Sequence, residues 1–234
     1  GLAGPFRQEM TVMADRKSSA SDNVRFIWIN PVISRMAGDD YPALLERLVR
    51  RGYRIAACPE AADEIRGTYI SHLDQSPVRP LIDARCPRIV SLIREKFPAL
   101  LERVAPIPPI LILCAERLYR RHCAPDPRQT SLTIITPCSE LVDYGKSLFG
   151  ERILFLTWKD FRRDEALLPL YPRAEASPIP PGFFNFPGIR VLEGSGPQTV
   201  TDLLGRAEAG RIDTEVAILE LLYCRDGCHN GNGV

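Results

Sequence analysis

Four cysteines in this chain, Cys86, Cys138, Cys224 and Cys228, have the chemistry and the placement to hold a metal. Cys224 and Cys228 stand four positions apart, directly after the apolar run 216–223. Gly227, Gly231 and Gly233 follow, in a stretch where a backbone lacking Cβ can come close to a bound group. Cys86 follows the short apolar segment 80–84, and Cys138 follows the apolar segment 132–136. Each of these three segments reads as a strand, and open parallel sheets bind ligands beyond the carboxyl ends of their strands. The positions are far apart in the chain, so local geometry does not account for their shared setting. Soft thiolates meeting at one point suit the irons of a cubane [4Fe–4S] cluster. Zinc in a four-thiolate site is the chemical competitor.

The remaining candidates are weaker. Cys114 and Cys123 lie nine apart on one predicted helix and read as packing or surface thiols. Cys58 ends a predicted strand before Pro59 and is placed to line the same crevice without being a ligand. His229, next to Cys228, is a ligand of the bound group, a hydrogen-bond donor beside it or, as is commoner in a glycine-rich loop, an exposed side chain. Arg85, Arg88 and Arg225 flank the proposed ligands. Guanidinium charge beside an anionic cluster favours its reduced form and raises its potential, whereas Arg88 and Arg225 as solvent-facing charges would have no such effect. Glu46, Arg47, Arg50 and Arg51 read as the solvated face of a helix.

The elements that position these residues alternate. Strands are expected at 24–29, 53–58, 80–84, 132–136, 152–157, 189–192 and 216–223. Helices are expected at 42–51, 61–73, 88–97, 98–104, 109–123, 158–165 and 199–209. Residues 169–187 carry six prolines and read as an irregular connection. Such alternation predicts an α/β fold: two lobes of mostly parallel β-sheet flanked by helices, with an iron–sulfur site between them. The polar, proline-bearing stretch 124–131 marks a boundary, giving lobes 24–127 and 128–234. Residues 1–23 read as a tag and flexible lead-in.

Bulk properties narrow the function. With 234 residues, 45% hydrophobic and 25% charged, the chain has the composition of a globular protein. A net charge of +1 argues against a nucleic-acid or anionic-membrane partner. No apolar run approaches the ~20 residues of a membrane span, and no secretory signal is visible. Seven cysteines, an odd number, fit a reducing cytoplasm better than a disulfide framework.

These residues also carry a family resemblance. Arg85-Cys86-Pro87, Thr136-Pro137-Cys138 and Cys224-x3-Cys228 with Asn230-Gly231 resemble the three cluster-binding motifs of the catalytic domain of [FeFe]-hydrogenases. The similarity runs from about residue 24 to 233. It includes Ile29-Asn30-Pro31 at the family's first-strand A-P motif, and the segment 80–105. It implies that Cys86, Cys138, Cys224 and Cys228 hold a [4Fe–4S] cluster, the last bridging to a two-iron subsite in the family. The residues serving that subsite differ here. Arg85, which does not give up its proton in a protein, replaces the proton-delivering cysteine. Leu141 replaces a lysine, Tyr144 an acidic residue, and Pro108-Pro109-Ile110-Leu111 a polar stretch. The chain also has no ferredoxin-type cysteine run, and it ends six residues after Cys228 where relatives continue, as one domain of a longer protein would.

The resemblance therefore implies a divergent member of the sensory or regulatory type, without the two-iron chemistry. Electron transfer or redox or ligand sensing toward a redox or signalling protein partner follows as the expected function. The alternative is a divergent hydrogenase turning over hydrogen slowly after maturation. A zinc-holding or metal-free scaffold for protein contact is a third reading.

Overall fold

A computed structural model describes residues 23–165, 168–179 and 181–234. The expected lead-in thus lies almost wholly outside the described residues. Two sheets, every strand pair parallel, are flanked by helices, as the alternation predicted. The first has the order β2-β1-β4-β5, with β1 at Val24–Ile29, β2 at Tyr53–Ile55, β4 at Thr130–Thr136 and β5 at Leu154–Thr157. The second has the order β3-β7-β6, with β3 at Leu81–Ile82, β6 at Arg190–Ser195 and β7 at Val216–Leu222.

The expected boundary at 127/128 is not where the sheets divide. β1 pairs with β4 from Val24–Thr130 to Ile29–Ile135, so the first sheet takes strands from both sides of that point. The chain visits the second sheet for β3, returns for β4 and β5, and ends there with β6 and β7. Strands buried on both faces read alike as apolar runs, and nothing in such a run specifies its neighbours.

Alternation along the central strands distributes side chains to opposite faces. Ile27 and Ile29 join Ile33, Leu44, Leu48, Trp158 and Phe161 on one side of the first sheet. Trp28 joins Leu111, Leu118, Ile134 and Phe155 on the other. In the second sheet, Leu219 and Leu221 pack with Ile89, Ile93 and Leu204, while Ile218 packs with Ile65, Tyr69 and Phe184. Helix α5, Ile110–His122, reaches both sheets, because Ile110 and Leu113 touch a core cluster of each.

Two helices absent from the sequence reading are present: α1, Pro31–Ala37, and α6, Ser139–Phe149. The signal for α1 was in the chain. Asn30 accepts a hydrogen bond from the Val32 N–H at 2.9 Å and Pro31 occupies the first helical position. The remaining helices are α2 (Tyr41–Arg50), α3 (Ala61–Gln75), α4 (Pro87–Lys96), α7 (Trp158–Asp164) and α8 (Pro197–Glu208). Residues 98–103, expected as a helix, form a 3-10 helix. Among the described residues no helix is long and apolar enough to cross a membrane.

One exposed position offers a direct check on α3. A methyl group at Gly67 meets nothing within 4 Å, and its backbone is helical. Gly67→Ala is expected to stabilise the chain by about 0.5–1 kcal/mol in chemical denaturation.

Candidate metal centre

The four proposed ligands arise where strands end. Cys86 follows β3 and immediately precedes α4; Cys138 follows β4 and immediately precedes α6. Cys224 lies two residues beyond β7, and Cys228 opens a 3-10 turn, Cys228–Asn230. Strand ends from both sheets therefore meet, and all four thiols line one cavity of about 480 Å³. Arg88, Arg173, Arg225 and Tyr223 also line it.

The loop carrying Cys224 and Cys228 is fastened to the start of α6. Asn232 accepts from the Ser139 N–H at 3.0 Å and donates to the Ser139 hydroxyl at 2.8 Å. The Gly233 N–H donates to the Pro137 carbonyl at 3.0 Å. Glycine is required by close approach: a Cβ on Gly231 would lie 2.4 Å from the Pro137 oxygen, and one on Gly233 would lie 3.0 Å from Cys138 Cα. At Gly227 the need is conformational as well, since φ is +118° and a Cβ would meet Ser177 at 2.7 Å.

Burial dominates the electrostatics of the thiols. It pushes Cys86 up, and the N–H groups of Tyr223, Ile89 and Arg88 act in the opposite direction, favouring the thiolate. Burial, followed by Cys86 and Cys224 among the opposing charges, pushes Cys138 up to about 12, against the Leu141 N–H. Cys228 is raised further, by burial first and then by Cys86, Cys138 and Cys224, with Arg85 opposing. Burial and then Cys86 raise Cys224. Cys138, Cys224 and Cys228 thus each respond to at least one of the other thiols. A cation placed among them reverses the balance, because it favours the deprotonated form of each.

The donor set and the cradle fit a sulfur-ligated cluster. The four thiols line the cavity without closing on a single point. Among the described residues no group of three or more His, Cys, Asp or Glu forms a site for a metal ion. His229 is buried, 4% exposed, and its Nδ1 has no partner among the described residues. This corrects the expectation of an exposed loop histidine. Asn230 contacts its Nε2 at 3.0 Å and anchors the loop by donating to the Arg225 carbonyl at 2.9 Å.

No protein-family model matches the chain, and no curated protein matches it in sequence. Solved structures do. An apo variant of [FeFe]-hydrogenase HydA1 from Chlamydomonas reinhardtii is 15% identical, with 94% of this chain and 82% of that chain covered and a TM-score of 0.59. HydA(deltaEFG), a structure concerned with stepwise H-cluster assembly, is 13% identical over 93% and 81%, at 0.61. An [FeFe]-hydrogenase structure concerned with oxygen inactivation through modification and degradation of the H-cluster 2Fe subcluster is 12% identical over 93% and 81%, at 0.64. The chain has the [FeFe]-hydrogenase fold.

Within this hydrogenase-like fold, the residue beside Cys86 shares its charge with two carboxylates. Arg85 is 8% exposed and lines the cavity. Its guanidinium pairs with Asp83 and Glu220 at 2.8 Å each, and both carboxylates are fully buried. Asp83 also accepts from the Tyr69 hydroxyl and the Arg85 N–H, both at 2.9 Å. Glu220 accepts from the N–H groups of Phe183 and Phe184 at 3.1 and 3.3 Å. Those two rings cover the guanidinium, with centroids 4.1 and 4.6 Å from Cζ. Burial raises Glu220, with Arg85 pulling it back down. Sequence reasoning missed Asp83, Glu220 and Tyr69. The signal was two acids inside apolar strand sequences, which need a partner when buried. Arg88 faces Glu140 at 3.7 Å and is partly exposed.

A second cavity of about 310 Å³ adjoins the first, and Arg85, Cys86, Leu141, Leu222 and Cys228 line both. Its other walls are mainly apolar, with Trp28, Val32, Pro109, Ile110, Leu111 and Ile179. Cys58 and Cys114 face this second cavity. Cys123 is buried at the end of α5 and lines neither cavity.

Proposed function

We propose that this chain is a hydrogenase-like iron–sulfur protein. Cys86, Cys138, Cys224 and Cys228 hold one [4Fe–4S] cluster that serves electron transfer or redox or ligand sensing toward a redox or signalling protein in a reducing cytoplasm. The observation that carries this reading is the gathering of four thiols from three strand ends around one cavity. A single zinc ion requires all four sulfurs about 2.3 Å from one point. A cubane takes thiolates on separate irons and so accepts a more open set. When bound, the cluster supplies a site for one electron. The chain's own residues supply the rest: glycines admit the loop to the Pro137–Cys138 backbone, and backbone N–H groups from Tyr223, Ile89, Arg88 and Leu141 favour the thiolates.

The walls of the adjoining cavity carry little for hydrogen chemistry. Leu141, Pro109, Ile110 and Leu111 are apolar, and Arg85 is bound to two carboxylates. No general base faces the cavity from those positions, and proton transfer at a reacting centre needs one.

Anaerobically isolated protein is expected to contain about four irons per chain and to absorb broadly near ~400 nm, as cubane ligation implies. Zinc-loaded, iron-free protein under those conditions refutes the proposal. Because all four thiols are raised, loading at neutral pH should release close to one proton per thiol, measurable in weakly buffered solution. The size of the adjoining cavity and its shared cysteines favour a second reading, slow hydrogen turnover after maturation. Co-expression with maturation proteins, followed by infrared detection of bound CO and cyanide, separates the two.

A further inference from the structure

The thiols of Cys58 and Cys114 lie outside the proposed ligand set but face each other across the fold. Cys58 follows β2, and Cys114 sits on α5, 56 residues away. The Cys114 thiol lies 4.0 Å from the Cys58 carbonyl oxygen, and the two side chains are within hydrogen-bonding reach of each other. Both are buried, at 9% and 1% exposure, and both line the 310 Å³ cavity, so a small molecule entering it meets the pair directly.

We propose that Cys58 and Cys114 form a second thiol site, a dithiol that hydroperoxides small enough to enter the cavity convert reversibly to a disulfide. Cys58 is placed to react first. Its sulfur lies 3.9 Å from the Glu60 carboxylate, which pairs at the surface with Arg117 and Arg121 and connects the thiol to solvent. Burial raises both thiols, but Cys114 far more, so Cys58 is the more readily ionised. Its sulfur attacks one peroxide oxygen and the O–O bond breaks. The departing hydroxide takes the thiol proton, leaving water and a Cys58 sulfenic acid. The Cys114 sulfur then bonds to the Cys58 sulfur and displaces that oxygen, which leaves with the Cys114 proton as a second water. One hydrogen peroxide gains two electrons and the two thiols lose two. Thiol reductants reverse the bond by exchange.

Simple core packing does not explain this arrangement as well, and Cys123 supplies the contrast. It is as buried as Cys114, yet its thiol interacts with Thr130 rather than with another thiol. The proposal does not depend on iron and can fail or succeed separately from the cluster reading.

The test uses the full chain, isolated anaerobically and treated with a few equivalents of hydrogen peroxide. Free thiols are alkylated, the protein is digested without reduction, and peptides are mapped by mass spectrometry. The expected product is a Cys58–Cys114 cross-linked peptide pair lacking two hydrogens, reversed by dithiothreitol, with Cys123 still alkylated. Cys58→Ser and Cys114→Ser should each abolish the cross-link, and in the Cys114→Ser protein dimedone should trap Cys58 as its sulfenic acid. Alkylated Cys58 and Cys114 after oxidation, separate sulfinic acids, or a cross-link to another cysteine overturns the proposal.

Discussion

Replacing Arg85 with methionine is expected to cost about 3–5 kcal/mol of folding stability, the largest effect of any single substitution considered, because it leaves buried carboxylates without their counter-charge. Asp83 and Glu220 are both fully buried, and Arg85 pairs with each at 2.8 Å. Methionine fills much of the volume between Phe183 and Phe184, so lost packing contributes little and the penalty is electrostatic. That origin predicts a rescue. Adding Asp83→Asn and Glu220→Gln to Arg85→Met removes both unpaired charges while keeping an acceptor for Tyr69 and for the Phe183 and Phe184 N–H groups. The triple variant should recover most of the loss.

The sign of the pH dependence follows from the same network. Burial already holds Glu220 above its ordinary value of 4.5, and losing Arg85 removes the charge that opposes this. A carboxyl with a raised folded-state pKa binds more protons folded than unfolded, so stability falls as pH rises through that window. The Arg85→Met penalty should therefore shrink as pH falls toward 4.5 and grow above it. Urea unfolding across pH measures this, and a loss below about 1 kcal/mol at neutral pH means that the triad contributes no more than a surface pair.

Gly231→Ala should damage the metal centre more than the fold. At φ −65° and ψ 160° the backbone suits any residue, so the penalty is steric alone. The added methyl would sit 2.4 Å from the Pro137 oxygen and 3.0 Å from the Cys228 oxygen, both backbone atoms that cannot rotate aside. Overpacking of this kind costs about 1–3 kcal/mol. The loop can relieve it by lifting from Pro137, which moves Cys228 away from Cys138. Iron bound after anaerobic reconstitution should fall several-fold, with far-ultraviolet circular dichroism unchanged and Gly67→Ala at the unaltered level. Full iron loading in Gly231→Ala would place the metal somewhere other than this loop.

The two predictions depend on features that differed in how visible they were in the chain. The strand-end cysteines and the glycines after Cys224 were legible because strand, turn and close backbone approach each have a local residue signature. Asn30-Pro31 announces α1 in the same local terms. The lobe boundary at 127/128 failed for a different reason. Proline and polar residues mark a surface connection, but they do not say that β4 will pair with β1.

The sequence by itself determined the alternation of strands and helices, and it placed Cys86, Cys138 and Cys224 just beyond strand ends. Tertiary structure alone decided that these ends meet across two sheets, that Arg85 turns to Asp83 and Glu220, that His229 is buried, and that Cys58 approaches Cys114. Periodicity and turn chemistry act over a few residues. Strand partnership and the pairing of buried charges are settled by contacts between segments tens of residues apart, which no local pattern encodes.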